Sequence, residues 1–359
     1  MNKNIYEEAK KLYLKSGYVN MMELLKNPYA YIFGIGARGI GKTYGGLTAL
    51  TEICDNTLSR FIYLRRTNAQ VDLIYKPEFN PFKKINEDQN WDIIPDKLTK
   101  YSGGFFHSKE NEDGEIIPDG DPIGYILALS TFYNLRSVDL SDVDYLFYDE
   151  FIPQRNERSL KGEGEAFLHL IETISRNREL NGQKPLKVIC MANPNTIDND
   201  IFLILNLITA AEKLQKSKSE VLIDKERSMQ LILFDKSPIS KKKSETSLYK
   251  LTKGTDFYSL AIENQFEGEE KDTIKQVPLI EYKPLVNVGE ISIYKHKSRK
   301  EFYCCRQKRN NAKYFQTGEL SRKRFRHEYD YLFSNYLFNK NFIFESYLCQ
   351  ILLERYFTS

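Results

Sequence analysis

The chain has 359 residues, a formal net charge of +3, 41% hydrophobic and 28% charged residues, the proportions of a folded globular protein long enough for two domains. So small a charge excludes a polycation that binds nucleic acid by bulk charge, and leaves local clustering as the route to such binding. No run reaches membrane-spanning length, the charged amino-terminal stretch lacks a leader's apolar core, and the five cysteines are scattered without zinc spacing; membrane, secretory and zinc-module classes are therefore set aside.

Taken in order, residues 1–28 carry Tyr13, Leu14, Tyr18, Met21, Leu24 and Leu25 at near-helical spacing, which predicts a helix lying against the core. Tyr31 to Ile35 predicts a strand that breaks into Gly36, Ala37, Arg38, Gly39, Ile40, Gly41, Lys42 and Thr43, with helix-compatible residues after it. This is the G-x4-G-K-[ST] pattern in its strand-to-helix context, a phosphate-binding loop. The glycines let backbone N–H groups turn inward around a phosphate at the positive end of a helix. Lys42 would hold the β/γ oxygens and Thr43 would ligate Mg²⁺, so the expected nucleotide is ATP with Mg²⁺. An Asn-Lys-x-Asp base-reading motif is missing from the sequence, which argues against GTP.

Arg60 to Arg65 reads as a second buried strand, and Asn68 to Gly120 as a polar, irregular stretch with Gly103-Gly104 and Glu112-Asp113-Gly114 marking turns. Gly124 to Ser130 restarts the sheet. Asp144 to Phe151 predicts a central parallel strand that delivers Asp149 and Glu150 at its carboxyl edge. Adjacent residues at a strand end point to different sides, so Asp149 is assigned to the metal and Glu150 to orienting and deprotonating the attacking water. An amphipathic helix from Gly164 to Ser175 leads into Arg176 and Arg178, and Leu186 to Ala192 is a further buried strand ending at Asn193-Pro194. Asn193 either touches the γ-phosphate or its water, or merely ends the strand. With Met229 to Asp235 as another strand, residues 1–240 read as a parallel-sheet domain with helices on both faces. Residues 241–273 read as a linker whose opening lysines are by default solvated. Residues 274–359 interleave β-prone pieces with Lys295, Arg299, Arg306, Arg322, Lys323 and Arg324, few carboxylates offsetting them. A basic face with aromatics suits contacts to a nucleic-acid backbone. Tyr329 to Phe357 is expected to be a helix closing that domain's core.

The series GARGIGKT, FIYLRR, LFYDEF, ETISRNRE and VICMAN, continuing through Gly254 to Tyr258 and Asn264 to Phe266 as far as Asn335 to Asn339 and Glu354-Arg355, resembles the DNA-encapsidation ATPases of small podoviruses. Stretches near residues 107–122 and 211–226 are longer than that family leads one to expect. The resemblance implies a P-loop, ASCE-type parallel-sheet ATPase domain, a short helical linker and a small α+β carboxy-terminal domain, RNase H-like but without nuclease activity. It implies an ATP-driven motor that moves double-stranded DNA into a preformed capsid, as a homo-oligomeric ring at the phage portal, or connector, in the host cytoplasm. Arg176 falls where the family places the arginine that reaches a neighbouring subunit's site, with Arg178 its rival. Arg136 falls where the family has a basic residue facing the same interface, and Arg38 could act within its own subunit; the residues do not rank them. Glu290 and Glu301 are too few carboxylates for two-metal cleavage. A structural RNA partner stays open, as do two other readings: a different nucleic-acid translocase such as a helicase, and a non-hydrolysing, ATP-switched DNA-binding protein.

Overall fold

The computed structural model describes residues 11–55, 57–135, 139–154, 157, 160–217, 219–255, 257–258, 262 and 273–358. The chain divides into two units, the described residues of 1–205 and 213–267 forming the first and those of 206–212 and 268–359 the second. The first unit holds strands β1 (Tyr31–Ile35), β2 (Arg60–Arg65), β3 (Ile94–Lys97), β4 (Ser102–Glu110), β5 (Ile116–Ala128), β6 (Val143–Asp149), β7 (Lys187–Ala192), β8 (Val221–Asp224) and β9 (Met229–Leu233). They form one sheet in the order β3-β4-β5-β2-β6-β7-β1-β9-β8. Its six central strands, β5 to β9 in that order, run parallel. The sheet is mixed rather than wholly parallel, because β4, β3 and β8 add antiparallel at its edges.

Every residue of β7 and β9 is buried, the polar Lys187 and Gln230 among otherwise apolar runs included, as strands covered on both faces must be. The alternation within β1 shows the two layers. Ile32 joins a core cluster with Leu47 and Leu50 of helix α2 (Lys42–Cys54), whereas Phe33 meets Phe151 and Phe202 edge-on across the other face. Among the described residues of 1–28, the expected helix is confined to α1 (Met21–Lys26). Residues 1–10 lie outside the described residues, and Tyr13 pairs antiparallel with Val19 in a turn closed by the Leu14 N–H donating to the Tyr18 carbonyl. That pairing uses backbone groups that a helix would have needed.

The stretch from Asn68 to Gly120 is ordered rather than irregular, holding α3 (Asn68–Ile74), α4 (Lys83–Gln89) and β3 to β5. Gly103 and Gly104 lie inside β4, not in a turn. A Cβ at Gly103 would sit 2.1 Å from the Tyr75 hydroxyl and 2.6 Å from the Asp96 carbonyl oxygen, so glycine there serves close approach.

Arg66, just past β2, is 1% exposed. Its Nε and Nη2 donate to the two carboxylate oxygens of Glu163 at 2.7 and 2.9 Å, and Nη1 donates to Glu157 at 3.0 Å. Glu163 also accepts from the Tyr148 hydroxyl at 3.0 Å and opens helix α5 (Glu163–Ser175), where the helix dipole favours a carboxylate. Arg66→Met is expected to cost about 3–5 kcal/mol, because it strands a buried carboxylate. Urea unfolding checks this, and the double variant Arg66→Met with Glu163→Gln should recover part of the loss.

The second unit is built on β10 (Tyr282–Val288), β11 (Ile291–His296), β12 (Phe302–Cys305), β13 (Lys313–Phe315) and β14 (Phe342–Phe344), ordered β13-β10-β11-β12-β14. The three central strands are antiparallel and the two outer ones join parallel. Phe325, Leu332 and Leu353 pack on Ile293, Phe302 and Phe344. The tail is not one helix. It breaks at Lys340, whose φ of +47° ends the run after Asp330–Leu337, then forms β14 and a last helix, Tyr347–Thr358. The basic side chains have more carboxylate neighbours than chain order suggests: Arg306 pairs with Glu290, Lys313 with Glu328, Lys323 with Glu319 and Arg299 with Glu281. Arg322 lies over the Tyr356 ring, 5.2 Å from its centroid.

Candidate functional site

Leaving β1, the chain turns through residues 36–41 before Lys42 opens α2. Gly41 has φ +86°, and a Cβ there would meet the Tyr18 ring at 3.1 Å, so both conformation and space call for glycine. The loop is held from two sides: the Gly36 N–H donates to the Ala192 carbonyl at 3.0 Å, and the Ile40 carbonyl accepts from the Val19 N–H at 2.9 Å.

Lys42 is buried, and its ammonium donates to the Gly36 carbonyl at 2.6 Å, the Ala37 carbonyl at 2.8 Å and Asn193 Oδ1 at 3.0 Å. All three of its donors are thus engaged. Burial pulls its pKa down to about 7, against the opposing pull of Asp149 and Glu150. Asn193 therefore meets the loop lysine directly, an arrangement that follows from β7 lying beside β1.

Asp149, 2% exposed, ends β6. Its Oδ2 accepts from Thr43 Oγ1 at 2.8 Å, from the Tyr63 hydroxyl at 2.9 Å and from Arg65 Nη1 at 3.2 Å. Glu150 follows at φ +54°, a left-handed backbone that costs a non-glycine residue roughly 1–3 kcal/mol. Its Oε2 accepts from Arg65 Nη2 at 2.6 Å. The two carboxylates do not simply diverge to opposite sides, as strand alternation led one to expect, since one guanidinium spans both. Burial by itself would lower the Arg65 pKa, but Tyr63, Asp149 and Glu150 outweigh it and raise it above the ordinary arginine value. Sequence reasoning missed Tyr63 and Arg65. The available signal was an arginine pair ending an otherwise apolar strand; that this strand neighbours β6 is a property of the sheet.

The arginines separate clearly. Arg178 is 6% exposed, donates from Nη2 to the Val143 carbonyl at 2.8 Å and pairs with Asp144 at 3.2 Å, so it is turned into its own chain. Arg176 caps α5 with φ +44°, and its side chain is 54% exposed, 3.7 Å from Asp139. Both lie by the start of β6, seven residues long, and so roughly 20 Å from Asp149 at ~3.3 Å per residue. Arg38 and Gly39 are exposed at the loop's apex, while Ala37 and Ile40 are buried. Arg136 lies outside the described residues.

A glycine loop at the end of β1, facing a carboxylate pair at the end of β6, defines an α/β protein whose candidate site lies at the carboxyl edge of the sheet's parallel centre, where such folds take their ligands. Backbone donors and an ammonium can hold an anion there, and Thr43 with Asp149 can hold a hard cation. Residues 13–278 match the model of the family described as podovirus DNA encapsidation protein (Gp16). The chain belongs to that family and is a DNA-packaging protein. It is 27% identical over 267 residues to the DNA packaging protein of Bacillus phage phi29, covering 73% of this chain and 70% of the relative. The corresponding protein of Bacillus phage PZA is 27% identical over 260 residues, covering 71% and 68%. Among solved structures, the Phi-28 gp11 DNA packaging motor aligns with TM-score 0.62 at 22% identity over 95% of this chain and 96% of that one. The bacteriophage Phi-29 viral genome packaging motor assembly aligns with TM-score 0.60 at 18% identity over 95% and 98%.

Proposed function

We propose that the chain hydrolyses ATP between the 36–43 loop and the Asp149-Glu150 pair, and that hydrolysis drives double-stranded viral DNA into a preformed capsid. The observation that carries this reading is the convergence of three strand ends: Lys42 on Asn193, and Thr43 on Asp149, across β1, β7 and β6. The Thr43 and Asp149 oxygens, 2.8 Å apart, fit adjacent corners of an octahedral Mg²⁺ shell, whose bonds of about 2.0–2.1 Å put such corners about 2.9 Å apart. When bound, Mg²⁺ would offset phosphate charge and help polarise the terminal phosphoryl group. Lys42 exchanges loop carbonyls for β/γ oxygens, and Asn193, already on Lys42, lies within reach of the same phosphates. Glu150 orients water and takes its proton, which requires Arg65 to release the carboxylate it holds. A cavity of about 710 Å³ beside Gly41, walled by Tyr18, Val19, Met21, Tyr44 and Thr48, suits the nucleoside; Thr48 Oγ1 is buried there without a hydrogen-bond partner.

The likeness to the Phi-29 packaging motor assembly supports a homo-oligomeric ring at the portal vertex of the assembling capsid, inside the host cell. Exposure of Arg176, far from its own Asp149, supports delivery to a neighbour. The mixed sheet of the second unit supports an RNase H-like domain that binds DNA or a partner. The two carboxylates read from the sequence fall outside its strands, Glu290 in the turn between β10 and β11 and Glu301 just before β12, and both are engaged, Glu290 with Arg306 and Glu301 with the Tyr282 hydroxyl, which supports a non-cleaving role. The test is ATP turnover with and without duplex DNA, in Mg²⁺ and in EDTA. Turnover that rises with duplex DNA and vanishes in EDTA is expected. Nucleotide binding without turnover would instead favour an ATP-switched DNA-binding protein.

A further inference from the structure

Helix α6 (Pro238–Ser244) follows β9 and carries the lysine run, which is not a uniformly solvated loop. Lys241 and Lys242 are exposed, whereas Lys243 is half-buried and turned onto the 36–43 loop. Its ammonium donates to the Arg38 carbonyl at the loop's apex and lies 4.9 Å from the centroid of the Tyr249 ring. Its stem runs past Gly39, where a Cβ would fall 3.5 Å from Nζ and 3.8 Å from Cε. An ammonium has three donors, and one carbonyl and a ring face do not use them all. Lys243, Arg38 and Lys42 therefore gather positive charge at the loop, and the carboxylates that favour the charge on Lys42, Asp149 and Glu150, are already spanned by Arg65. Lys243 and Arg38 act together to disfavour the charge on Lys42. A polyphosphate would relieve that repulsion and outcompete a single carbonyl for the Lys243 donors.

We infer that Lys243 is a phosphate-contacting residue that engages the terminal phosphate of a bound nucleoside triphosphate from outside the loop. This rests on the ATP reading above. Lys243 gives the segment after β9 a direct contact with the nucleotide, lost when the terminal phosphate leaves. The loop's own N–H groups and Lys42 also reach the β-phosphate, which a diphosphate keeps, whereas Lys243 meets the terminal phosphate alone and so distinguishes the two.

The test compares the affinities of a fluorescent non-hydrolysable ATP analogue and of fluorescent ADP for the unmodified chain, Lys243→Ala and Lys243→Arg. Lys243→Ala should weaken the triphosphate about tenfold or more and leave ADP within about twofold, since one charge-assisted hydrogen bond is lost; Lys243→Arg should recover much of the loss. Trypsin cleavage after residues 241–243 of the unmodified chain should slow with the analogue and not with ADP. Equal loss for both nucleotides would make Lys243 a prop for the loop and overturn the inference, as would no loss for either. If the unmodified chain binds neither nucleotide, or binds both equally well after Lys42→Ala, the phosphate-loop reading itself falls.

Discussion

Arg176→Ala is expected to lower the ATPase rate of the assembled ring by ~10³-fold or more, with nucleotide binding and assembly retained. A guanidinium delivered to a neighbour's site stabilises charge on the transferring phosphoryl group, and a contribution of that size is usual for such a residue. The geometry keeps it away from the Asp149-Glu150 pair of its own chain. Arg176 lies near Asp139, before β6, while Asp149 ends that strand and Glu150 follows it. Its pairing with Asp139, at 3.7 Å and largely exposed on both sides, contributes little to stability, and urea unfolding of the variant separates loss of fold from loss of rate. The backbone supplies a control. With φ +44° at position 176, Arg176→Gly relieves strain and should be at least as stable as the unmodified chain, yet as inactive as the alanine variant. A mixing experiment separates the arginines: Arg176→Ala and Glu150→Gln subunits, each inactive alone, should regain part of the activity in mixed rings, where some interfaces pair an intact Glu150 with an intact Arg176. If nothing returns while both variants assemble and bind ATP, Arg38 within its own subunit becomes the better candidate.

Glu150→Gln is expected to slow hydrolysis by ~10²-fold or more while ATP still binds, as loss of a general base predicts. Glutamine keeps an oxygen for Arg65 but cannot take the proton. Binding should persist because Glu150 touches none of the groups that cradle the loop; its partner is Arg65 at 2.6 Å. Asp149→Asn is a different lesion. It weakens the oxygen that receives Thr43, Tyr63 and Arg65, so its defect should deepen as Mg²⁺ is lowered. Rates and nucleotide affinities measured across an Mg²⁺ series check both. Normal turnover in Glu150→Gln, with Asp149→Asn inactive, would reverse the two roles.

Which of these features could be read from the chain itself follows from how local each one is. The 36–43 loop is local: strand, glycines, lysine and helix are consecutive, and the φ of +86° at Gly41 lies where the motif puts a glycine. The buried strands were equally local, since unbroken apolar runs such as residues 188–192 have no other stable home. Where pattern and structure parted, a distant surface decided. Gly103 looks like a turn until Tyr75 and the Asp96 carbonyl press on it, and the apolar spacing of residues 13–19 looks helical until Tyr13 finds Val19. The partners of the site belong to the same kind. Arg65 meets Glu150, Asn193 meets Lys42 and Lys243 meets Arg38 because β2 lies beside β6, β7 beside β1, and α6 folds back on the loop. None of those neighbours is adjacent in the chain. The amino-acid order determined which groups could bear charge and where the backbone could turn. Strand order, set by the burial of whole strands against one another, determined which charges meet.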